Sequence, residues 1–186
     1  MTRRPAGARL APKELDERER EIAGAAPGAE PLNIMATLAH NEQVFKRFNR
    51  FAGGLLYRGV LPEREREIVI LRVGWNCRAV YEFGQHTLIG RRAGLTDDEI
   101  RRLCLPLADS GFVGDDADLV AMADELCSDD CVGDETWARL EKRWDPAALV
   151  ELVVVAGNYR LVSGFLNTMG VELDDGVPGW PDGIEP

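Results

Sequence analysis

The chain holds two histidines, His40 and His86, and His86 has a carboxylate at helical spacing. In Tyr81-Glu82-Phe83-Gly84-Gln85-His86 a separation of four residues places Glu82 and His86 on one helix face, within reach of each other. A carboxylate beside an imidazole raises its basicity and orients it, as a general acid or base requires. Taken alone, the pair fits a surface ion pair or a satisfied core histidine better than a catalytic one. His40, next to Asn41 at a helix junction, reads as structural. The four cysteines, Cys77, Cys104, Cys127 and Cys131, fit no zinc spacing and are too few for a disulfide scaffold, so reduced thiols are expected. Cys127 and Cys131 read as a helix end and its loop. No Gly-rich phosphate loop, P-loop lysine or Rossmann fingerprint is present, and no metal site is expected.

A wider pattern adds to the His86 pair. It runs Leu61-Pro62-Glu63-Arg64-Glu65-Arg66-Glu67-Ile68-Val69-Ile70-Leu71-Arg72-Val73, then Asn76, Tyr81-Glu82-Phe83 and His86, then Ala93-Gly94-Leu95-Thr96-Asp97-Asp98-Glu99-Ile100. Over about residues 32–105 this resembles the carboxymuconolactone decarboxylase family, which includes the AhpD-like alkylhydroperoxidases. The resemblance implies an all-α helical bundle that assembles as a homo-oligomer, a trimer or a hexamer. In the redox branch of the family a glutamate on one helix precedes Cys-x-x-Cys-x-x-x-His at the start of the next. Aligned on His86, the second cysteine falls on Glu82, the first on Ala79 and the upstream glutamate on Glu67. Both redox cysteines are missing. Peroxide reduction needs a low-pKa thiolate and a resolving partner, and Cys77 has no Cys-x-x-Cys partner.

Glu67, Glu82 and His86 remain. The decarboxylase branch removes carbon dioxide from a carboxylated lactone and leaves an extended enolate to be protonated. The resemblance therefore implies a cofactor-free lyase or isomerase acting on a small carboxylated lactone or an enolisable carbonyl compound. His86 would be the general acid/base, poised near neutral pH, with Glu67 and Glu82 orienting it or relaying its proton. Arg72 would hold the substrate carboxylate, and Tyr81, Trp75 and Asn76 are the remaining candidate substrate contacts. Two alternatives stay open: a non-catalytic oligomeric binding or scaffold protein of the same fold, and a thiol-dependent peroxidase using Cys77.

Helices must position these groups. Leu32, Met35, Leu38 and Ala39 repeat at helical spacing, and after a cap at Asn41 the stripe continues through Val44, Phe45, Phe48, Phe51, Leu55 and Leu56 to Gly59. Pro62 and the acids after it open a helix. The run Ile68-Val69-Ile70-Leu71 suits a buried strand by propensity, but the start signal favours a helix ending near Asn76. The next helix spans Arg78 to Ala93 with Gly94 at its end, and Thr96-Asp97-Asp98-Glu99 is a capping box opening another through Leu103. Helices follow over 117–126 and 135–144, the second capped by Asp134. Asp145-Pro146 then starts an apolar helix over 147–169, central or at a subunit contact. Its polar members Asn158, Arg160, Ser163 and Asn167 need partners, expected across subunits.

Three regions result: an N-terminal arm over 1–31, expected to be mobile; a helical domain over 32–173; and an irregular tail over 174–186. The 186 residues are 45% hydrophobic and 29% charged, with 22 basic and 32 acidic side chains for a net charge of -10. That is globular composition, and it excludes a disordered or fibrous chain. Arginines are interleaved with acids and lack aromatic neighbours, which argues against nucleic-acid binding. Met1-Thr2-Arg3-Arg4-Pro5 is followed by no apolar run, and no stretch is expected to reach membrane-spanning length. These readings place the protein in the cytoplasm, with a small molecule as its partner.

Overall fold

The structure is a computed structural model that describes residues 4–25 and 28–186. Among these the regular elements are all α-helices: α1 (Glu17–Ile22), α2 (Asn33–Leu38), α3 (Glu42–Arg58), α4 (Glu63–Asn76), α5 (Val80–Arg92), α6 (Asp97–Arg102), α7 (Leu107–Ser110), α8 (Gly114–Asp129), α9 (Asp134–Leu140) and α10 (Pro146–Met169). The all-α expectation holds.

α4 is the central element and packs against α5, α8 and α10. Its β-branched run is helical because Ile68, Val69, Ile70, Leu71 and Val73 are fully enclosed. A helix covered on every side needs no polar face, so tertiary burial overrides the strand propensity of these residues. α4 and α8 run parallel in fixed register. Arg64 bonds Asp116 at 2.8 Å and Arg72 bonds Asp124 at 2.7 Å, each pair 52 residues apart.

The end signals hold where a side chain can act. Asn41 accepts from the Val44 amide, Thr96 and Glu99 form a full capping box, and Asp145 accepts from the Ala148 amide. Gly94 takes φ +99° after α5, a conformation that glycine adopts without strain. Several boundaries differ from expectation, among them those of α8, which runs Gly114–Asp129, and of α9, which ends at Leu140. α5 begins at Val80 because Arg78 turns into the left-handed region, with φ +53°. Asp134 is the first residue of α9 rather than its cap, a position taken by Gly133. The four-residue α7 follows Pro106 and stops at Gly111, and its length leaves no periodicity to read.

Both ends of the described chain lie on the helices. Leu15 is buried with Ile34, Leu38, Phe45, Tyr81, Val162 and Leu166. The Arg9 amide donates to the Met169 carbonyl and the Lys13 amide to the Ala36 carbonyl. The expectation of a mobile arm also covers Met1–Arg3, Ala26 and Pro27, which lie outside the described residues. The tail carries no helix, yet Trp180 packs against Trp75 and Phe83 with ring centroids 5.3 and 5.0 Å apart. Gly84 permits this approach, since a Cβ there would lie 2.2 Å from the Pro178 carbonyl oxygen.

Two apolar helices depart from a simple core pattern. In α3 only Phe45 is fully buried, while Val44 and Phe51 are about half exposed. α10, against expectation, is long and apolar enough to cross a membrane by length and composition, and half of its most apolar window is buried inside the fold. That burial is the behaviour of a core helix, and it explains why α10 is apolar on so many sides.

Candidate active site

The site grows from three helices. α4 supplies Glu67 and its neighbour Arg66, α5 supplies Glu82 and His86, and α10 lays Tyr159 and Asn158 over them. Glu82 and His86 share a face of α5 as their spacing requires. Gly90, one turn beyond His86, lets α5 approach α4 closely: a Cβ there would lie 3.3 Å from Leu71 and 3.8 Å from the Cβ of Glu67.

His86 is held at both ring nitrogens. Nδ1 lies 2.6 Å from Glu67 Oε2 and Nε2 lies 3.0 Å from Glu82 Oε1. The other oxygen of Glu67 accepts from Arg66 Nε at 3.1 Å. The Tyr159 ring stands edge-on to the imidazole, with centroids 4.8 Å apart and an interplanar angle of 83°. Glu67 is wholly inaccessible, and Arg66, Glu82, His86 and Tyr159 are all buried.

Burial opposes a charge on His86, but the field and hydrogen bonds of Glu67 and then Glu82 overcome it and raise the imidazole to about 10. The expectation of a histidine poised near neutrality is corrected: it is an imidazolium across the physiological range. Burial, then the charges of Glu82 and Glu67, push the Tyr159 phenol well above its ordinary value, so it stays neutral. Two cations and two carboxylates balance in the interior, the condition under which buried charge is tolerated.

A cavity of about 750 Å³ opens beside this group. Glu82, His86, Tyr81, Gln85, Asn158 and Tyr159 line its polar side. Ile34, Met35, Phe48 and Val162 contribute apolar wall, and Arg50 and Arg58 of α3 stand at the rim. Glu67 and Arg66 do not reach the cavity and sit behind the histidine. Asn158 lines the cavity and is 8% exposed, and its Nδ2 is buried with no hydrogen-bond partner. Tyr81 is spoken for: its hydroxyl donates to Asp174 Oδ2 at 2.5 Å and accepts from the Ile34 amide at 3.3 Å.

The structure does not bring Arg72, Asn76 and Trp75 to the cavity, and their assignment as substrate contacts is corrected. The Arg72 guanidinium is fully engaged by both oxygens of Asp124 and by the Leu103 and Leu105 carbonyls. Asn76 donates to the same Asp124 at 2.7 Å, and Trp75 packs on Trp180. The reason is helical geometry: five residues turn about 140° around an α-helix, so Arg72 faces away from Glu67. Sequence reasoning missed Arg66, Arg50, Arg58 and the role of Asn158. Arg66 had no local signal, since it sits in the charged run Glu63-Arg64-Glu65-Arg66-Glu67 ahead of the apolar stretch.

The other expected polar partners divide. Arg160 donates to the Leu126 carbonyl at 2.9 Å and pairs with Asp130, and Asn167 donates to the Cys77 carbonyl at 2.9 Å. Both are satisfied within the chain rather than across subunits. Ser163 Oγ and Asn158 Nδ2 are not satisfied. His40 is exposed and bonds the Ala11 carbonyl at 2.9 Å.

Comparison with known proteins bears on the family and the fold. Residues 42–125, which hold α3 to α7 and most of α8, match the carboxymuconolactone decarboxylase family. No curated protein matches. Among solved structures, an uncharacterised peroxidase-related protein from Ralstonia eutropha JMP134 with an alkylhydroperoxidase AhpD core superposes at a TM-score of 0.77 and 18% identity, over 90% of this chain and 93% of that one. A peroxidase-related protein from Silicibacter sp. TM1040 gives 0.76 and 13%, over 97% and 98%. The debrominase Bmp8 in complex with 2,3,4-tribromopyrrole gives 0.72 and 11%, over 90% and 94%. At these identities the likeness is one of fold. Positions 79 and 82 hold alanine and glutamate, so no Cys-x-x-Cys pair stands ahead of His86 there.

Proposed function

We propose that the protein, whose residues 42–125 match the carboxymuconolactone decarboxylase family, is an acid/base enzyme. It is a decarboxylase or isomerase of small carboxylated lactones or enolisable carbonyl compounds, with the Glu67–His86–Glu82 relay as its proton source. The single observation that carries this reading is that the relay is buried at its Glu67 end and meets a cavity at its Glu82 end. A structural ion pair has no need of such a cavity.

The chemistry follows from the order of the groups. Loss of carbon dioxide from a β-keto-type carboxylate, or removal of an α-proton, leaves an enolate that must be protonated. Glu82 faces the substrate and exchanges its proton with His86 behind it. Glu67, held by Arg66, keeps the imidazole oriented and charged. The Nδ2 of Asn158 donates to the enolate oxygen, a contact made stronger by the low dielectric of the site. Arg50 and Arg58 at the rim draw in an anionic substrate, the role first assigned to Arg72.

The exposed Val44 and Phe51 of α3, with Val150 and Leu161 of α10, support assembly of the chain into a homo-oligomer, a trimer or a hexamer. We assign it to the cytoplasm and expect neither nucleic acid nor membrane as a partner.

A screen of carboxylated lactones and enolisable acids, read by carbon dioxide release and by solvent deuterium incorporation, tests the proposal. Turnover by the wild type that falls by about a hundredfold or more in Glu82→Gln and His86→Gln supports it. Turnover retained in both variants would remove the relay from catalysis, and no turnover across the screen with the cavity demonstrably open to ligands would leave a binding or scaffold role.

A further inference from the structure

The cavity beside His86 is larger than a small lactone requires. Its volume of about 750 Å³ lies in the upper part of the range that holds drug-sized ligands, roughly 300–1,000 Å³. A lactone ring with one carboxylate fills only a small part of it. Most of the wall is apolar: Ile34 and Met35 of α2, Phe48 and Leu56 of α3, Ile89 of α5 and Val162 of α10. A ligand that fills this space carries an extended apolar body.

Two features of α3 bear on the shape and charge of that ligand. Gly53 and Gly54, in the interior of the helix, both line the cavity, and a Cβ at either would meet nothing within 4 Å. Neither has a positive φ. Glycine weakens a helix interior, and here neither backbone conformation nor close packing calls for it. The pair leaves α3 without side chains where the cavity runs past it. The second feature is charge. Arg50 and Arg58 also line the cavity, and neither has an ion-pair or hydrogen-bond partner among the described residues. By contrast, Asn49 donates to the Ile22 carbonyl, Glu30 pairs with Arg20 at 3.7 Å and Gln85 donates to Asp174. From Glu42 to Arg58 the helix carries four bases and one acid, a charge of +3 in a chain of -10. The cavity is therefore walled on this side by a positive helix that attracts an anion.

We propose that the ligand of this cavity is a carboxylate amphiphile, a linear acid with an apolar chain of fatty-acid length. Its carboxylate stays with Arg50 and Arg58 at the rim, and its chain lies over Gly53 and Gly54 against Met35, Phe48 and Val162. The binding mode follows from the cavity alone, while the chemistry rests on the acid/base reading. Within that reading it selects one substrate class: an enolisable carbonyl compound whose anionic group is remote from the reacting carbon. The carboxylate is better placed beside the arginines than beside Glu82, whose like charge repels it. Glu82 and His86 then meet the carbonyl end of the chain.

Isothermal titration of the full-length protein with linear saturated acids, butanoate to dodecanoate below micelle formation, tests this. Affinity should rise about threefold to fourfold per added methylene along the series. Gly53→Leu and Gly54→Leu fill the space at α3. At least one should weaken decanoate about tenfold or more without lowering the melting temperature, since leucine suits a helix better than glycine. Arg50→Gln combined with Arg58→Gln should weaken decanoate about tenfold and leave decanol unchanged. His86→Gln should bind decanoate as the wild type does. Binding with these dependences but no turnover of a keto acid of the same length would fail the acid/base reading alone and leave the ligand class standing. Affinity independent of chain length, glycine variants that change the oligomeric state but not the affinity, or arginine variants that weaken acid and alcohol alike would each overturn the proposal.

Discussion

His86 Nδ1 lies 2.6 Å from Glu67 Oε2 in the wholly enclosed end of the site, while Nε2 of the same ring meets Glu82 at 3.0 Å on the cavity side. A neutral imidazole carries one N–H and would turn a lone pair on one of these carboxylates. The imidazolium donates to both. The folded state therefore holds the extra proton, and the site carries a proton donor at pH values where a free histidine has lost its charge.

Stability follows with a definite sign. The folded value of His86, about 10, exceeds the unfolded value of about 6.5. The stabilisation is fully present below pH ~6.5 and is lost as pH rises toward ~10. Melting temperature measured from pH 7 to 10 should fall more steeply for the wild type than for His86→Gln, by an amount corresponding to a few kcal/mol. Parallel curves would show that the ring is already neutral at pH 7.

Glu67→Gln separates orientation from charge. The amide removes the largest influence raising the His86 value, so the alkaline limb of the pH–rate profile should move to lower pH. It also leaves Arg66 buried without its carboxylate, a loss of about 3–5 kcal/mol that thermal unfolding would register. An unchanged alkaline limb would remove Glu67 from the relay.

Asn158→Leu should part stability from function. The native Nδ2 is buried without a partner, so replacing the amide with an apolar group of similar size should leave melting unchanged or raise it slightly. If the amide meets the enolate oxygen, kcat/KM should fall about tenfold to a hundredfold. A marked loss of stability with unchanged kcat/KM would place the amide in a structural role.

Arg72→Ala should behave in the opposite way. Its guanidinium ties Asp124 and two carbonyls, so unfolding should become easier by about 2–4 kcal/mol with KM unchanged. A raised KM with unchanged stability would return it to the substrate.

Arg72 also shows which parts of this protein its sequence makes legible. Helix type and most boundaries are local properties: Thr96 with Glu99, Asn41, Gly94 and Asp145 each act within a turn, and each does what its type suggests. The Glu82–His86 pair is legible for the same reason, and the resemblance adds Glu67. Contacts between helices are different in kind. Nothing local says that Asp124 claims Arg72 or that Asn158 lines the cavity, because each depends on how the helices lie on one another. The helical turn from Glu67 to Arg72 was available from spacing alone, and it already points the two side chains apart.

The most direct measurement is the protonation of the His86 ring by ¹⁵N-edited NMR, from pH 6 to 11. With two histidines in the chain, His40→Gln leaves one imidazole to observe. The account predicts that both ring nitrogens stay protonated through neutrality and release a proton only near pH 10. A ring with one bare nitrogen at pH 8 would contradict it, because the relay would then hold no proton to give.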